Sequence, residues 1–533
     1  MLARINNIRV GLDNERQLEE IITHKLHLPK EQVKIKKILR RAIDARRKNN
    51  VCLVYHLLLE IAGNKSRVQR LLADGQLLAW QEDAQEPLVK GSEVLAHRPV
   101  VIGLGPAGLM AALELALHGY RPLVLERGKS LAERVRDVEA FWSGGKFLPE
   151  SNVQFGAGGA GTFSDGKLTT RVNDGAMNYI LQAFVKAGAP ENILYEQKPH
   201  VGTDRLRQMV AGLINAIEKN GGTIKYQTQV TDFQFSPQGL TGVVTAKGEA
   251  IPTEAVILAC GHSARDTYEA LVARKVKLEA KPFAIGVRVE HTQELINRAQ
   301  YGAFARHPKL GAADYNLVHH DKTTGRTAYS FCMCPGGKVV ASASEIGGVV
   351  TNGMSLYARD SQLANSALLV NVEPRDFPEG PLGGVAFQRR YEQLAFQAAG
   401  SSYRAPAQTS QSFMLGQAPS LDVNFTPSYR PGLEPCKLAE VLPDYVTKTL
   451  QAGLKAFEQK LPGFGEKGLL IGVETRSSAP VRIVRNADGQ SISSPGLYPT
   501  GEGAGYAGGI MSAALDGYHQ ARKLMSIYGE VQR

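Results

Sequence analysis

The stretch of residues 98–128 constrains the fold most, because it reads as a strand, a glycine turn, a helix and a second strand. Its apolar residues 100–102 are typical of a short buried strand, and glycines in the spacing G-x-G-x-x-G follow at Gly103, Gly105 and Gly108. Such glycines allow a tight turn, a close approach of the backbone to a diphosphate, and close packing of helix on strand. The stretch therefore predicts the first βαβ unit of a Rossmann-type, dinucleotide-binding domain.

The residues around these glycines support the same interpretation. Pro106 and Ala107 begin the helix, where the missing N–H of proline costs nothing and the free N–H groups of the first turn face a phosphate. Glu126 and Arg127 follow the second strand, and an acid at this place binds ribose hydroxyls in dinucleotide-binding domains.

A second glycine-rich stretch lies at residues 150–171. Gly156, Gly158 and Gly161 repeat the G-x-G-x-x-G spacing, but no apolar strand precedes them and no apolar helix follows. We therefore predict a loop whose backbone approaches a ring or phosphate, with polar contacts from Ser164, Asp165 and Lys167. The alternative is a plain flexible loop.

The last sixty residues lead back to the first domain. Residues 497–500 indicate a strand, a glycine-rich turn carries Glu502, and a helix begins near Gly509. The N-terminus of that helix would stabilise negative charge on a reduced ring. The acid and the helix are thus predicted beside the same cofactor.

Residues 1–97 precede the fingerprint and have the pattern β-α-β-β-α-β, which indicates a ferredoxin-like domain that ends in a linker at residues 81–91. Residues 25–48 carry ten basic and two acidic residues. This ribbon either binds RNA phosphates or is a solvated or docking face, and the absence of an aromatic platform favours the second alternative. The RNA hypothesis places the contacts at Lys34, Lys36, Lys37, Arg40 and Arg41.

Residues 282–470 form the predicted second, substrate-side domain. In FAIGVRVEH, alternation places Arg288 and Glu290 on one strand face, where they either pair on a wet surface or line a pocket. Further along, the predicted loop of residues 345–361 offers Asn352, Ser355 and Arg359 as candidate substrate groups. The alternative is that this stretch is only a turn, because Asn-Gly is a turn signal.

Cys332 and Cys334 are the only close pair among five cysteines. On an extended strand both thiols would point the same way. They either pack as small apolar groups or relay electrons, and the first alternative is favoured. Cys260, at the end of a predicted strand, is expected to be buried and inert.

Composition sets the broad class. The chain of 533 residues is long enough for several domains, and it has no apolar run of the roughly 18 residues that a membrane span requires. Its N-terminus lacks the apolar segment of a secretion signal, and five dispersed cysteines argue against a disulfide framework. We expect a cytoplasmic protein without membrane contact, and the 12 histidines indicate no metal site.

Taken together, these stretches resemble the glutathione-reductase-type FAD flavoproteins and, more closely, a bacterial family of uncharacterised FAD-dependent dehydrogenases. More distantly the chain is similar to flavoproteins that modify the tRNA wobble uridine and to the aminoacetone oxidase family. The stretches that carry the resemblance are IGLGPAGLMAALELA, FGAGGAGTFSDGKL, VILACGHSARD, FCMCPGG, NGMSLYARDS, ETRSSAPVRI and TGEGAGYAGGIMSAALDG.

The resemblance implies an α/β fold in which a Rossmann-type FAD-binding domain (98–281 and 471–533) is interrupted by a mixed α+β substrate domain (282–470) and preceded by the ferredoxin-like domain. In such flavoproteins the first fingerprint holds the FAD diphosphate, the acid after the second strand holds the ribose, and the C-terminal motif contacts the ribityl chain and the isoalloxazine. The acid at the position of Glu502 is more usually Asp. The predicted FAD-binding residues are Gly103, Gly105, Pro106, Ala107, Gly108, Glu126, Arg127, Gly158, Gly159, Thr162, Lys167, Val230, Gly261, Gly501, Glu502, Gly508, Gly509 and Ile510.

The predicted function is hydride transfer between FAD and an unidentified small molecule. A C-x₄-C redox pair near the flavin loop and a second NAD(P) fingerprint are absent, so no NAD(P)H domain is expected. NAD(P)H stays a candidate transient reductant, and an electron-transfer protein a candidate partner. An RNA-acting flavoprotein and a non-catalytic flavin-bearing scaffold are the alternatives. The catalytic candidates are Cys332, Cys334, Arg288, Asn352 and Arg359.

Overall fold

The computed structural model describes residues 1–63, 65–81 and 87–530; residues 82–86 of the predicted linker lie outside these ranges. The first elements follow the predicted order β-α-β-β-α-β. They are β1 (Leu2–Gly11), α1 (Leu18–Leu26), β2 (Val33–Asp44), β3 (Cys52–Ile61), α2 (Lys65–Ala73) and β4 (Leu78–Ala79). The strands form one antiparallel sheet in the order β2-β3-β1-β4.

The first helix begins at Leu18, four residues after Asn14. The side chain of Asn14 accepts a hydrogen bond from the N–H of Arg16 at 3.0 Å. Such local bonding of an asparagine competes with helix formation, so the turn at Asn14 delays the helix.

Strand β2 carries the basic ribbon on the edge of this sheet and also contacts the rest of the chain. The Arg41 N–H donates to the Tyr195 carbonyl at 2.7 Å, and Gln197 N–H donates to the Arg41 carbonyl at 2.9 Å. The Arg41 guanidinium pairs with Glu196. Arg41 is therefore a docking residue. The other four basic side chains of β2 are exposed: Lys34, Lys36, Lys37 and Arg40.

The dinucleotide-binding part begins with short parallel strands and amphipathic or buried helices. Its elements are β5 (Val100–Ile102), α3 (Pro106–Leu117), β6 (Leu123–Leu125), α4 (Leu131–Trp142), α5 (Met177–Lys186), α6 (Thr203–Lys219), β7 (Thr223–Lys225), β8 (Val230–Ser236), β9 (Gly239–Thr245), β10 (Ala250–Pro252), β11 (Val256–Leu258), α7 (Arg265–Ala273) and β12 (Leu278–Ala280).

The second half of the chain contains longer strands. Its elements are β13 (Phe283–Thr292), α8 (Gln293–Tyr301), β14 (Val318–Asp321), β15 (Arg326–Cys334), β16 (Gly337–Ala341), β17 (Thr351–Ser355), β18 (Leu363–Val372), α9 (Gly383–Ala398), β19 (Ala405–Thr409), α10 (Ser410–Leu415), β20 (Leu433–Pro435), α11 (Asp444–Lys460), β21 (Leu469–Glu474), β22 (Val481–Ile483), β23 (Leu497–Pro499) and α12 (Ile510–Ile527).

Two large sheets position the site. The parallel sheet has the order β23-β11-β5-β6-β7, so the chain does return to the first domain through β23. Its core packs α3 against α6 and α12 through Leu109, Leu213 and Leu515. In such sheets ligands bind at the carboxyl ends of the strands. Here β5 ends at the turn that contains Gly103, and β23 ends at the turn that contains Gly501.

The second sheet has seven strands in the order β14-β15-β18-β13-β21-β19-β20. Helix α11 covers one face, where Val287 and Leu368 of the strands and Leu454 of the helix share a core. The predicted boundary after residue 470 is wrong, because it falls inside β21, a strand of this sheet. The other domain boundaries stay predictions. No helix among the described residues is both long and apolar enough to cross a membrane.

Candidate active site

A cavity of about 920 Å³ lies between the carboxyl edge of the parallel sheet and the strands β15, β17 and β21. This volume is within the range of roughly 300–1,000 Å³ that ligand sites occupy. The predicted FAD-binding residues that line it are Gly103, Gly105, Pro106, Ala107, Glu126, Arg127, Gly159, Lys167, Val230, Gly261, Glu502, Gly508, Gly509 and Ile510.

Two helices begin at this cavity. Gly105 precedes α3 and Gly509 precedes α12, and neither first turn is capped by a side-chain hydrogen bond. A Cβ on Gly508 or Gly509 would meet no atom within 4 Å, and one on Gly105 would meet only the Cα of Gly159 at 3.8 Å. Open space and free N–H groups at two helix N-termini suit the anionic diphosphate and the reduced ring of FAD.

Glu126 holds the two glycine-rich loops together beside the cavity. Its carboxylate accepts hydrogen bonds from the N–H groups of Leu104 at 2.9 Å, Gly128 at 2.8 Å and Gly156 at 3.0 Å. It is buried, and it lines the cavity. Glu126 therefore shapes the fingerprint turn as well as facing the predicted ribose site.

The second glycine-rich stretch is a loop with a single 3₁₀ turn at Ala160–Phe163, as predicted. Arg134 of α4, fully buried, supports it by donating to the carbonyls of Asn152 at 2.8 Å, Val153 at 2.8 Å and Ala157 at 2.7 Å. The place of Arg134 on a helix next to the loop is the one sequence signal for this role.

Four predicted FAD-binding residues do not line the cavity. A Cβ on Gly108 would overlap the Gly103 carbonyl, one on Gly158 the Thr162 hydroxyl, and one on Gly501 the Cβ of Ala107. Thr162 is buried, and its hydroxyl donates to the Ala157 carbonyl. The three glycines are needed for close packing behind the site, whereas Thr162 is part of the loop interior.

Both predicted roles of Arg288 and Glu290 are wrong. The two side chains are fully buried because a two-stranded sheet, β16 and β17, packs over their face of β13. Glu290 accepts hydrogen bonds from Ser428, not from Arg288, and neither residue lines the cavity. Burial raises the pKa of Glu290 to about 7.

Arg288 instead supports the cavity wall from behind. Its guanidinium donates to Asn352 Oδ1 at 3.0 Å and to the Cys332 carbonyl at 2.7 Å, and lies 3.5 Å from Glu474 Oε2. These three partners line the cavity. Of the catalytic candidates, Asn352 and Cys332 thus lie at the cavity, and Arg288 holds them.

Arg359 is also not at the cavity. It forms a two-pronged ion pair with Asp165, with Nε 2.9 Å from Oδ1 and Nη2 2.5 Å from Oδ2, and Ser355 binds the same carboxylate. Asp165 itself lines the cavity, and the Arg359 guanidinium is the main cause that keeps its pKa below the usual range despite burial. Arg359 and Ser355 therefore fasten the glycine-rich loop to the second domain.

The prediction of an extended strand with both thiols on one face is wrong. Cys332 has φ +43°, and the β15–β18 register shifts between Phe331 and Cys334. Cys332 lines the cavity, while Cys334 is fully buried behind it. Cys260 also lines the cavity, and burial raises its pKa to about 12, which agrees with an inert thiol.

The sequence interpretation missed one carboxyl group of the site, that of Glu474, and did not show that Glu502 has a raised pKa. Burial raises the pKa of Glu474 and that of Glu502 to about 7, and both residues line the cavity. Oε2 of Glu474 has no hydrogen-bond partner among the described residues. Glu502 is recognised as an acid near the cofactor but not as a titrating one. Glu474 begins the stretch ETRSSAPVRI, which carries the family resemblance, and that stretch is the signal that could have found it.

Family models match three parts of the chain. Residues 282–477 match the C-terminal domain of FAD-dependent proteins, residues 198–313 match the FAD-dependent oxidoreductases, and residues 2–60 match a domain of unknown function. With the fingerprint and the shared cavity, these matches define the class: the protein is an FAD-dependent oxidoreductase, and its cofactor is FAD.

A close relative places the chain in its family. It is 47% identical over 529 residues to a protein of Clostridium beijerinckii described as uncharacterised, and the match covers 98% of this chain and 99% of the relative. The chain belongs to the same family of FAD-dependent proteins as this relative.

Solved structures show more remote similarity. Glycine oxidase from Bacillus cereus is 12% identical, with 80% of this chain and 94% of that chain covered and a TM-score of 0.36. Amadoriase I from Aspergillus fumigatus, a fructosyl amine:oxygen oxidoreductase, is 13% identical, with 84% and 89% covered and a TM-score of 0.35.

Proposed function

We propose that the protein transfers a hydride between FAD and a small organic molecule that enters the cavity from the side of the second domain. One observation carries the proposal: a single cavity joins the dinucleotide-binding turn to the buried Glu474 of β21 and the half-buried Cys332 of β15. FAD supplies the two-electron acceptor when it is bound. The fingerprint turn, Glu126 and the N-terminus of α12 are the parts of the chain that would hold it.

Glu474 is the residue best placed to exchange a proton with the substrate. It lines the cavity and is buried, and its Oε2, which lies 3.5 Å from the Arg288 guanidinium, accepts no hydrogen bond from the described residues. Its pKa of about 7 allows it to act as a base or an acid at neutral pH. The positive charge of Arg288 lowers this pKa, and the negative charge of the Cys332 sulfur raises it.

The substrate class follows from the charge at the cavity opening. Arg171 lines the cavity, is exposed, and forms no ion pair with any other residue in the described ranges. A guanidinium in this position suits a carboxylate. We therefore expect small carboxylic acids to be preferred over their amides.

The experiment is an anaerobic stopped-flow screen of the FAD-loaded protein against NADH, NADPH and a library led by carboxylic acids with matched amides. Reduction of the flavin by a member of the library, faster than that of free FAD, supports the proposal. If nothing changes the bound flavin faster than free FAD, the protein is a flavin-bearing scaffold. Reduction by NADH or NADPH alone would assign only the reductant.

Glu474→Gln is expected to slow flavin reduction by the substrate by about 10²–10⁴-fold, because a positioned acid or base contributes this factor. The wild-type rate should rise with pH through a step near pH 7, where Glu474 loses its proton, and the variant should lack this step. Rates are measured in single-turnover stopped flow.

Glu290→Gln is the matched control, because Glu290 is also a buried acid with a pKa of about 7 but does not line the cavity. It should keep both the rate and the step. Equal effects of the two substitutions would contradict a role of Glu474 in proton exchange.

The RNA hypothesis for β2 stays a prediction, supported by the exposure of Lys34, Lys37 and Arg40. If it is correct, changing these three residues to Glu should abolish RNA retention at low salt, because the positive charges that contact the phosphates are removed. Retention by the unchanged protein should weaken with salt, because phosphate contacts release counterions. Retention is measured by filter binding across a salt series. Loss of FAD would indicate misfolding, and unchanged retention would leave the ribbon as a solvated face.

A further inference from the structure

Two thiols lie where β15 reaches the cavity. Cys332 lines the cavity, and Cys334 is fully buried directly behind it. Both are free cysteines. The proposed hydride transfer uses neither of them, although one stands among the groups that face the reaction space.

The backbone at these thiols is held in an unusual shape. Cys332 has a positive φ of 43°, which is uncommon for a residue other than glycine, and it lies in the irregular part of the β15–β18 ladder. Two cations secure this segment: Arg288 donates to the Cys332 carbonyl at 2.7 Å, and Lys167 donates to the Met333 carbonyl. A non-glycine residue held in this conformation is strained, and such strain clusters at functional sites.

The irregularity changes how the two cysteines are placed relative to each other. In a regular strand, alternate Cα atoms are about 6.6 Å apart, near the upper limit for a disulfide. The irregular segment bends the strand. The Cys334 thiol donates to the Cys332 carbonyl at 3.4 Å, so the side chain of Cys334 points back toward Cys332.

The surroundings divide the two thiols into a thiolate and a thiol. Hydrogen bonding from Cys334, with the charges of Lys167 and Arg288, lowers the pKa of Cys332 to about 6 despite burial. The same contact and burial raise the pKa of Cys334 well above its usual value. At neutral pH one sulfur can therefore attack while the other keeps a proton, which is the arrangement of a reactive dithiol.

We propose that Cys332 and Cys334 are a redox-active dithiol that exchanges two electrons with FAD bound in the same cavity. In the oxidising direction the Cys334 S–H bond breaks, one S–S bond forms, and two electrons pass to the oxidised flavin. The proton from Cys334 is taken up by the flavin together with the two electrons, so the step needs no other oxidant or base. The reverse step cleaves the disulfide with two electrons from reduced flavin. The inference rests on the proposed function only in requiring FAD in the cavity.

Anaerobic titration of the FAD-loaded protein with dithionite, which needs no substrate, counts the electrons. After oxidation in air, the wild type should accept about four electrons per flavin, two on the flavin and two on the disulfide. Cys332→Ser and Cys334→Ala should each accept about two. Cys436→Ser should match the wild type, because Cys436 follows β20 in the second sheet and does not line the cavity. Uptake of only two electrons by the wild type would overturn the proposal.

A second readout uses the protein after FAD has been removed, so it does not depend on flavin or on folding of the variants. Reduced protein should react with iodoacetamide at Cys332 faster than at Cys436 at pH 7, as mapped by mass spectrometry. Treatment with diamide should remove two hydrogens from the peptide that contains both cysteines and block their alkylation, and dithiothreitol should reverse this. If Cys332 stays open to alkylation after diamide, the two thiols do not form a redox pair.

These outcomes are separable from those of the substrate screen. If no compound in the screen reduces the flavin but the protein takes up four electrons, the proposed hydride transfer is wrong and the dithiol proposal stands. A successful screen with two-electron uptake keeps the function and removes the dithiol.

Discussion

Gly108→Val is expected to weaken FAD binding strongly and so to reduce the fraction of purified protein that carries FAD. A Cβ at this position would overlap the carbonyl oxygen of Gly103, so α3 would have to move away from the fingerprint turn. Overpacking of this kind costs about 1–3 kcal/mol or more, equal to about a 5- to 150-fold loss of affinity when the strain falls on the binding turn. The flavin absorbance of the purified protein and an FAD titration of the flavin-free form measure the effect.

Substitutions at two other glycines distinguish an effect on packing from an effect on FAD binding. Gly105→Val should keep the fold, because Gly105 has φ −80° and its Cβ would meet only the Cα of Gly159 at 3.8 Å, but the added side chain would enter the cavity and weaken FAD. Gly311→Val, where a Cβ would meet nothing within 4 Å, should change neither. Circular dichroism and thermal unfolding report the fold in each variant.

The pattern of results is diagnostic. Gly108→Val should lose both FAD and thermal stability, whereas Gly105→Val should lose FAD alone. A Gly108→Val protein that retained its yellow colour and normal affinity would contradict the position of the fingerprint turn against α3, and an unaffected Gly105→Val would place FAD elsewhere.

The dinucleotide-binding half could be predicted from the sequence because its signals are local. Gly103, Pro106 and Glu126 act within one βαβ unit, and their spacing depends on turn and helix geometry rather than on distant contacts. The return of the chain at residues 497–510 was readable for the same reason, since a strand, a glycine turn and a helix are adjacent in sequence.

The second domain could not be predicted at the same level, because its site residues depend on contacts distant in sequence. The alternation around Arg288 correctly indicates a strand, but nothing local shows that β16 and β17 bury the polar face. Likewise the backbone at Cys332 is held by Arg288, which is 44 residues away in the sequence, and by Lys167, which is 166 residues away from its partner Met333. Glu474 titrates near neutrality only because the folded chain buries it.

A buried ion cluster joins the two halves next to the cavity. Glu392 of α9 binds Arg265 of α7, with Oε1 2.8 Å from Nη2, and binds Arg476, with Oε2 2.8 Å from Nη2. Thr475 donates to the same carboxylate at 2.7 Å. Because Arg476 lines the cavity and Arg265 begins α7, this carboxylate fixes the second sheet to the dinucleotide-binding part at the site itself.

Glu392→Leu is expected to destabilise the protein by about 3–5 kcal/mol, because removing one partner of a buried ion pair leaves uncompensated charge. The guanidinium groups of Arg265 and Arg476 would then share the carboxylate of Glu345, whose Oε2 lies 2.5 Å from Arg265 Nη1. Glu392→Gln keeps the shape and part of the hydrogen bonding, so its loss should be intermediate. The urea midpoint of the near-ultraviolet circular dichroism signal, measured with and without FAD, reports the effect.

The control and the pH dependence distinguish this cluster from surface pairing. Glu294 also binds two arginines, Arg298 and Arg306, but all three are exposed, so Glu294→Leu should change the stability little. The two arginines hold the pKa of Glu392 far below its usual range. Its contribution to stability is therefore complete above the unfolded-state value of about 4.3 and is lost as the pH falls toward the folded-state pKa. The difference in stability between wild type and Glu392→Leu should accordingly be constant from pH 8 to about pH 5 and shrink only in stronger acid.

A loss of stability in Glu392→Leu no larger than that in Glu294→Leu at pH 7 would contradict this role of Glu392. It would show that the two halves are held together by their apolar contacts and that Arg265 and Arg476 find other partners.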